Sequence, residues 1–288
     1  MPDIRPAQRS PCGSFNKASA CGRGIVKVKV VGVIGGSGLD DWPELDWVDV
    51  CSVATPYGTP SAPLRIAEHS GCRIIFLARH GPGHALAPHA INYRANLWAL
   101  RQARVEAVIA CATVGAISPA VPVGGLCVPD QIIDYTWGRQ SSYTEEGRVL
   151  HVDFTMPFDP HLRRACIEAA TPAVPVVDGG TYGCTQGPRL ESAAEIRRLA
   201  QDGCTLVGMT GMPEAALARE LELPYALLCL AVNAAAGLGD SSEGINPQSL
   251  AARMEVGIAR VKAVLLRVLA QGGLGDPAQQ TPPGAPAS

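Results

Sequence analysis

A single α/β domain is the fold class this sequence predicts, and three observations carry it. Short β-branched apolar runs alternate with segments of helical period. Several of those runs pass straight into glycine-rich or charged turns, as at the carboxyl ends of strands in open α/β sheets. At 288 residues, 47% hydrophobic and 17% charged, the chain can bury one large core without needing a second domain.

The first predicted strand, 29–34, runs into Gly35-Gly36-Ser37-Gly38-Leu39-Asp40-Asp41. The second, 73–78, ends on Leu77-Ala78-Arg79-His80-Gly81, and a helix is predicted near 90–104. A strand at 106–113 holds the apolar run Val108-Ile109-Ala110-Cys111-Ala112, and another is predicted at 125–133. Helices follow at 160–170 and 190–202, the latter entered through Gln186-Gly187-Pro188-Arg189-Leu190-Glu191. The strand at 205–209 precedes Met209-Thr210-Gly211-Met212-Pro213-Glu214, where Pro213 suits the first turn of a helix at 213–221. A strand at 225–232 closes on Leu230-Ala231-Val232-Asn233. The last helix, 248–270, spaces Leu250, Met254, Ile258, Val261, Leu265 and Val268 as a core-facing stripe. Residues 1–27 and 272–288 are rich in Pro, Gly, Ser and Ala without periodicity, and read as a disordered extension and tail around a domain at 28–271.

The formal net charge is −2, and no Lys/Arg run marks a nucleic-acid or anionic-membrane surface, so any anion must be captured locally. The ten cysteines form no CxxC pair and no Cys/His ligand block, which predicts reduced, packed thiols and no metal. Neither a secretory signal nor a membrane-spanning run is read, and the expectation is a cytoplasmic protein with no membrane partner.

Five segments carry chemistry. The glycine turn after the first strand lets backbone N–H groups approach an anion, and the Ser37 hydroxyl adds a donor. It is neither a Walker loop nor GxGxxG, since Asp41 stands where the third glycine belongs, and a plain exit turn explains it equally well. Arg79 offers a fork of donors matched to phosphate, and His80 a donor that can charge near neutrality; the plain alternative is a structural ion pair. Thr210 reads as an anion donor or as a simple helix cap, and Glu191 as a ligand or as an acid favoured at a helix start. Asn233 ends an apolar strand, where ligands gather, or serves a turn.

In their order along the chain these segments resemble the purine nucleoside phosphorylase and methylthioadenosine phosphorylase family. The resemblance spans nearly all of residues 30–270 and rests on Arg79-His80, the block Asn92-Tyr93-Arg94-Ala95-Asn96-Leu97-Trp98-Ala99-Leu100, Gly187-Pro188-Arg189, and Met209-Thr210 with Pro213-Glu214. It implies a mixed central sheet flanked by helices, and an enzyme that takes inorganic phosphate as co-substrate and needs no cofactor. Ser37, Arg79, His80 and Thr210 are then expected to bind phosphate with the backbone around Ala112 and Thr113, a threonine standing in many relatives where this chain has Ala112. Met209 is expected against the ribose.

The resemblance also bears on the base. Adenine-specific members place an aspartate where this chain has Asn233, whereas an amide can donate to a 6-oxygen and accept the imidazole proton of the leaving purine. Glu191 matches the position at which 6-oxopurine enzymes hold the ring N–H, and Ala234 and Ala235 complete the expected substrate set around Asn233. One unpaired buried polar group costs about 1–3 kcal/mol, so two mismatches with adenine imply roughly hundredfold discrimination. Related 6-oxopurine enzymes hold the 5′-hydroxyl with a histidine from the C-terminal helix, but this chain has none after His161. Ile245, Pro247 and Leu250 instead offer an apolar lining suited to a methylthio group. The pattern implies phosphorolysis of S-methyl-5′-thioinosine; the alternatives are a general inosine/guanosine phosphorylase and a methylthioadenosine phosphorylase. The catalytic pair is expected to be Asn233 and His80. A homotrimer is implied, with His151 to Phe158 of one subunit near its neighbour's site. From other classes, a dinucleotide-binding oxidoreductase would use Gly35 to Gly38, and a silent purine-binding protein would keep Glu191 and Asn233 without needing Arg79-His80.

Overall fold

The computed structural model describes residues 29–36, 38–39, 42–144, 149–170 and 174–270. The expected extension and tail, 1–27 and 272–288, lie outside them. The elements are β1 (Lys29–Gly35), β2 (Asp46–Cys51), β3 (Leu64–His69), β4 (Cys72–Ala78), α1 (Tyr93–Gln102), β5 (Ala107–Ala116), β6 (Leu126–Val128), β7 (Gln131–Asp134), α2 (Pro160–Ala170), β8 (Val176–Asp178), β9 (Thr181–Cys184), α3 (Ala193–Gln201), β10 (Cys204–Gly208), α4 (Gly211–Glu220), β11 (Tyr225–Ala234) and α5 (Pro247–Ala270).

They build an 11-stranded mixed sheet. Its centre is parallel, β4-β1-β5-β11, and β2 and β3 extend one side antiparallel. β10 joins the far end of β5 antiparallel and leads to β9 and β7. The central strands are apolar on both faces, as a sheet covered on two sides requires. Val31, Val33, Ile74, Phe76, Leu228 and Leu230 meet α2 and α5, while Ile34, Ile75, Leu77, Val108 and Leu227 meet α1 and α4. The period-2 alternation of strands therefore sorts residues one apart in sequence into two separate cores.

The strand predicted at 125–133 divides into β6 and β7. Pro129 between them has no N–H to give a ladder, and β6 pairs with β11 and β8 while β7 pairs with β9. The helix predicted from 190 begins at Ala193, because Ser192 caps it and Glu195 closes the capping box. β2, β3, β8 and β9 were not predicted. Seven described cysteines are free, but Cys51 is disulfide-bonded, so the expectation of uniformly reduced thiols fails there. No helix among the described residues is long and apolar enough to cross a membrane.

Candidate active site

The parallel strands β1, β4, β5 and β11 point their carboxyl ends to one side of the sheet, and a cleft opens there. Gly36 lies at its floor directly after β1. A Cβ on Gly36 would stand 2.8 Å from the Cys111 carbonyl oxygen and 3.5 Å from an Arg79 nitrogen, so this close backbone approach requires glycine.

Arg79 and His80 leave β4. The Arg79 guanidinium is 1% exposed; its Nε and one terminal nitrogen donate at 2.8 Å to the two oxygens of Glu214, and the other nitrogen donates to the Cys111 carbonyl. Tyr225 donates its hydroxyl to the same carboxylate. Burial pulls the Arg79 pKa down, but the adjoining Glu214 charge more than reverses this and holds it above the ordinary value. Of five guanidinium N–H groups two stay uncommitted, so Arg79 is both a structural ion pair and a cleft residue.

His80 Nδ1 stands 2.8 Å from the Leu86 carbonyl oxygen, which can only accept, so this nitrogen carries the hydrogen. Burial, the Arg79 charge and His84 push the His80 pKa down to about 4. The ring is therefore neutral near pH 7 and its Nε2 offers a lone pair, which corrects the expectation of a donor that charges near neutrality. His84 stacks on it with centroids 4.1 Å apart.

Beyond β10, Met209 and Thr210 line the cleft. Thr210 occupies the cap position of α4, yet its side chain makes no capping bond, which leaves the hydroxyl for the cleft. Arg139 fixes this segment. Its guanidinium donates to the carbonyls of Met209 and Met212 on one side and of Thr185 and Gln186 on the other, joining two walls of the site. Glu191 is not the acid of the α3 start, a part taken by Glu195. One Glu191 oxygen instead accepts the Thr185 hydroxyl at 2.5 Å.

Asn233 owes its placement to a break in register. Ala231 pairs with Val114 and Asn233 with Gly115, leaving Val232 as an extra residue on β11. Such bulges re-aim the side chains that follow them, and Asn233 lines the cleft from within the strand instead of forming a turn. One of its amide hydrogens goes to the Ala234 carbonyl at 2.6 Å, leaving the second N–H and the carbonyl oxygen for a ligand.

Residues 30–270 match the Phosphorylase superfamily. The chain belongs to that family. This phosphorylase is 48% identical over 243 residues to the probable S-methyl-5′-thioinosine phosphorylase of Pseudomonas syringae pv. tomato, covering 83% of this chain and 98% of that protein. To the probable S-methyl-5′-thioinosine phosphorylase of Xanthomonas campestris pv. campestris it is 54% identical, over 73% of this chain and 86% of the relative. Among solved structures, the methylthioadenosine phosphorylase of Schistosoma mansoni in complex with adenine superposes with a TM-score of 0.80 at 30% identity, covering 87% of this chain and 93% of that one.

The phosphorylase gathers Arg79, His80, Ala112, Thr113, Glu191, Met209, Thr210, Asn233, Ala235, Ile245 and Leu250 around one cleft. Ser37 lies outside the described residues. Ala234, expected in the substrate set, is not among the residues lining the cleft; its carbonyl accepts from the Asn233 amide, and Pro247 opens α5. Asp240 pairs with Arg253 at 2.6 Å, which ties the loop after β11 to α5 beside Ile245 and Leu250. Sequence reasoning missed Glu214 as the partner of Arg79, Thr185 as the partner of Glu191, and the cleft residues His84, Leu190 and Met254. Glu214 and Leu190 stood inside quoted segments without a role of their own, and Met254 lay one helical turn beyond Leu250 in the apolar stripe.

Proposed function

We propose that this phosphorylase converts S-methyl-5′-thioinosine and phosphate to hypoxanthine and 5-methylthioribose 1-phosphate. The observation that carries the reading is one cleft lined by a carboxylate and an amide, Glu191 and Asn233, together with Arg79 and Thr210. A 6-oxopurine offers a ring N–H and an adjacent carbonyl, which matches an acceptor-only carboxylate beside an amide that can both donate and accept. The apolar side chains of Ile245, Leu250 and Met254 in the same cleft suit a methylthio group better than a hydroxyl. The two relatives near 50% identity, by their names, support the same substrate.

In this reading phosphate is the nucleophile and no protein side chain bonds to the sugar. The two uncommitted Arg79 N–H groups, the Thr210 hydroxyl and backbone groups near Gly36, Ala112 and Thr113 hold the phosphate, Ser37 contributing a hydroxyl. Neutral His80 accepts a hydrogen from a protonated phosphate oxygen and turns another oxygen toward the anomeric carbon. As the glycosidic bond lengthens, positive charge gathers on the sugar and negative charge on the purine. Asn233 then strengthens its hydrogen bonds to the leaving base, and an interaction that grows with developing charge lowers the barrier. Holding the reactants in line supplies the rest. No cofactor or metal takes part.

The proposal includes a homotrimer and a cytoplasmic location. Within residues 151–158, His151, Asp153 and Met156 are exposed and none of the segment lines its own chain's cleft, which supports a role at a neighbour's site. Sedimentation of an active monomer would contradict the trimer. The adenine in the Schistosoma relative makes methylthioadenosine the competing substrate. The test is base release from inosine, adenosine and their methylthio analogues with and without phosphate. Phosphate-dependent hypoxanthine release, fastest from methylthioinosine, is expected; release without phosphate would refute the reading.

A further inference from the structure

A carboxylate reads a base only if its orientation is fixed, and Glu191 sits on an irregular segment, two residues before the first residue of α3. Left alone, its side chain could turn toward Arg189, two residues away, or toward the neighbouring cavity that it also lines. Arg189 is already engaged by Glu195, at 2.7 and 2.8 Å. Glu191 is held instead by Thr185, whose hydroxyl donates to one of its oxygens at 2.5 Å.

Thr185 is itself immobilised. It follows β9 directly, its backbone N–H donates to the Gly208 carbonyl at 2.8 Å, and its own carbonyl accepts from Arg139. Its β-branched side chain has few χ1 options. The hydroxyl has one hydrogen, and the Gly208 carbonyl at 3.4 Å is a much poorer target than the carboxylate.

We infer that Thr185 is a specificity-positioning residue: by occupying one Glu191 oxygen it presents the other, as an acceptor only, to the ring N–H of a 6-oxopurine. An adenine ring has a lone pair at that place, so the same fixed acceptor repels it. Without the hydroxyl the carboxylate is free to rotate away, and the penalty against adenine falls along with the reward for hypoxanthine. This rests on the 6-oxopurine reading above.

The experiment compares kcat/KM for methylthioinosine and methylthioadenosine in wild type, Thr185→Val, Thr185→Ser, Glu191→Ala and the Thr185→Val/Glu191→Ala double variant, with thermal melts of each. Thr185→Val keeps the branched shape and loses only the hydroxyl. It should lower the methylthioinosine preference by about tenfold, chiefly through a higher KM for methylthioinosine, as expected for one hydrogen bond of about 1.4 kcal/mol. Thr185→Ser should stay within about twofold of wild type. On the Glu191→Ala background Thr185→Val should change the preference no further, which a merely structural role would not produce. A discriminating wild type whose preference survives in Thr185→Val, or a loss that persists in full on the Glu191→Ala background, overturns the inference alone. If Thr185→Val melts too low to assay, loss of preference in Thr185→Ser despite a wild-type melt overturns it, and retention supports it. A wild type without preference removes the 6-oxopurine reading and this inference together.

Discussion

Glu214 closes a bidentate, fully buried ion pair on Arg79, with both N···O distances at 2.8 Å and the Tyr225 hydroxyl bonded to the same carboxylate. Desolvating two charges is repaid only when geometry is good and the remaining polar atoms are satisfied; here the geometry is good and both Glu214 oxygens are bonded, while two Arg79 N–H groups still lack a partner. The pair turns Arg79 so that its two unused N–H groups remain for a ligand.

Removing one partner strands a charge. Glu214→Gln should lower unfolding free energy by about 3–5 kcal/mol and raise the phosphate KM, read by urea titration and initial rates. The double change Arg79→Met with Glu214→Leu should recover most of the stability and none of the phosphate affinity. Recovery of both would remove Arg79 from phosphate binding.

The pKa of His80 is about 4 in the folded chain against 6.5 for free histidine. Between those values the unfolded state binds the proton and the folded state does not, so stability rises with pH across that window and is lost as pH falls from 6.5 toward 4. His80→Gln should flatten this part of the ligand-free stability profile, measured by thermal melts from pH 4 to 7. An identical slope in the variant would show that His80 titrates normally.

The proposed placing of the methylthio group against α5 makes a separate demand. Leu250→Ser should raise the KM for methylthioinosine severalfold, because each buried methylene contributes about 0.8 kcal/mol, and should leave the KM for inosine nearly unchanged. Equal effects on both substrates would move the 5′ group away from α5.

The central sheet was legible because its strands are buried on both faces and read as unbroken apolar runs, such as Val108-Ile109-Ala110-Cys111. β2 was hidden for the opposite reason: Asp46, Val48 and Val50 are exposed on an edge strand, and Asp46 and Asp49, three apart, break any clean apolar alternation over its six positions. β8 and β9 are three and four residues long, too short to show a period. In the site, Arg79, His80, Glu191 and Asn233 stood out because each follows a strand or a turn. Their partners did not. Glu214 lies 135 residues from Arg79, and Thr185 stands just before the Gln186-Gly187-Pro188 segment with no pattern to mark it. The bulge at Val232 is a property of the pairing between β11 and β5, so it is not visible in the sequence of β11 alone.

The most direct test of the account is the ratio of kcat/KM for methylthioinosine over methylthioadenosine, in wild type and in Asn233→Asp. Two mismatches against adenine predict a wild-type ratio of roughly a hundred or more, falling at least tenfold when the amide becomes a carboxylate that cannot donate to a 6-oxygen. A wild type that favours methylthioadenosine, or an Asn233→Asp ratio equal to wild type, would contradict it.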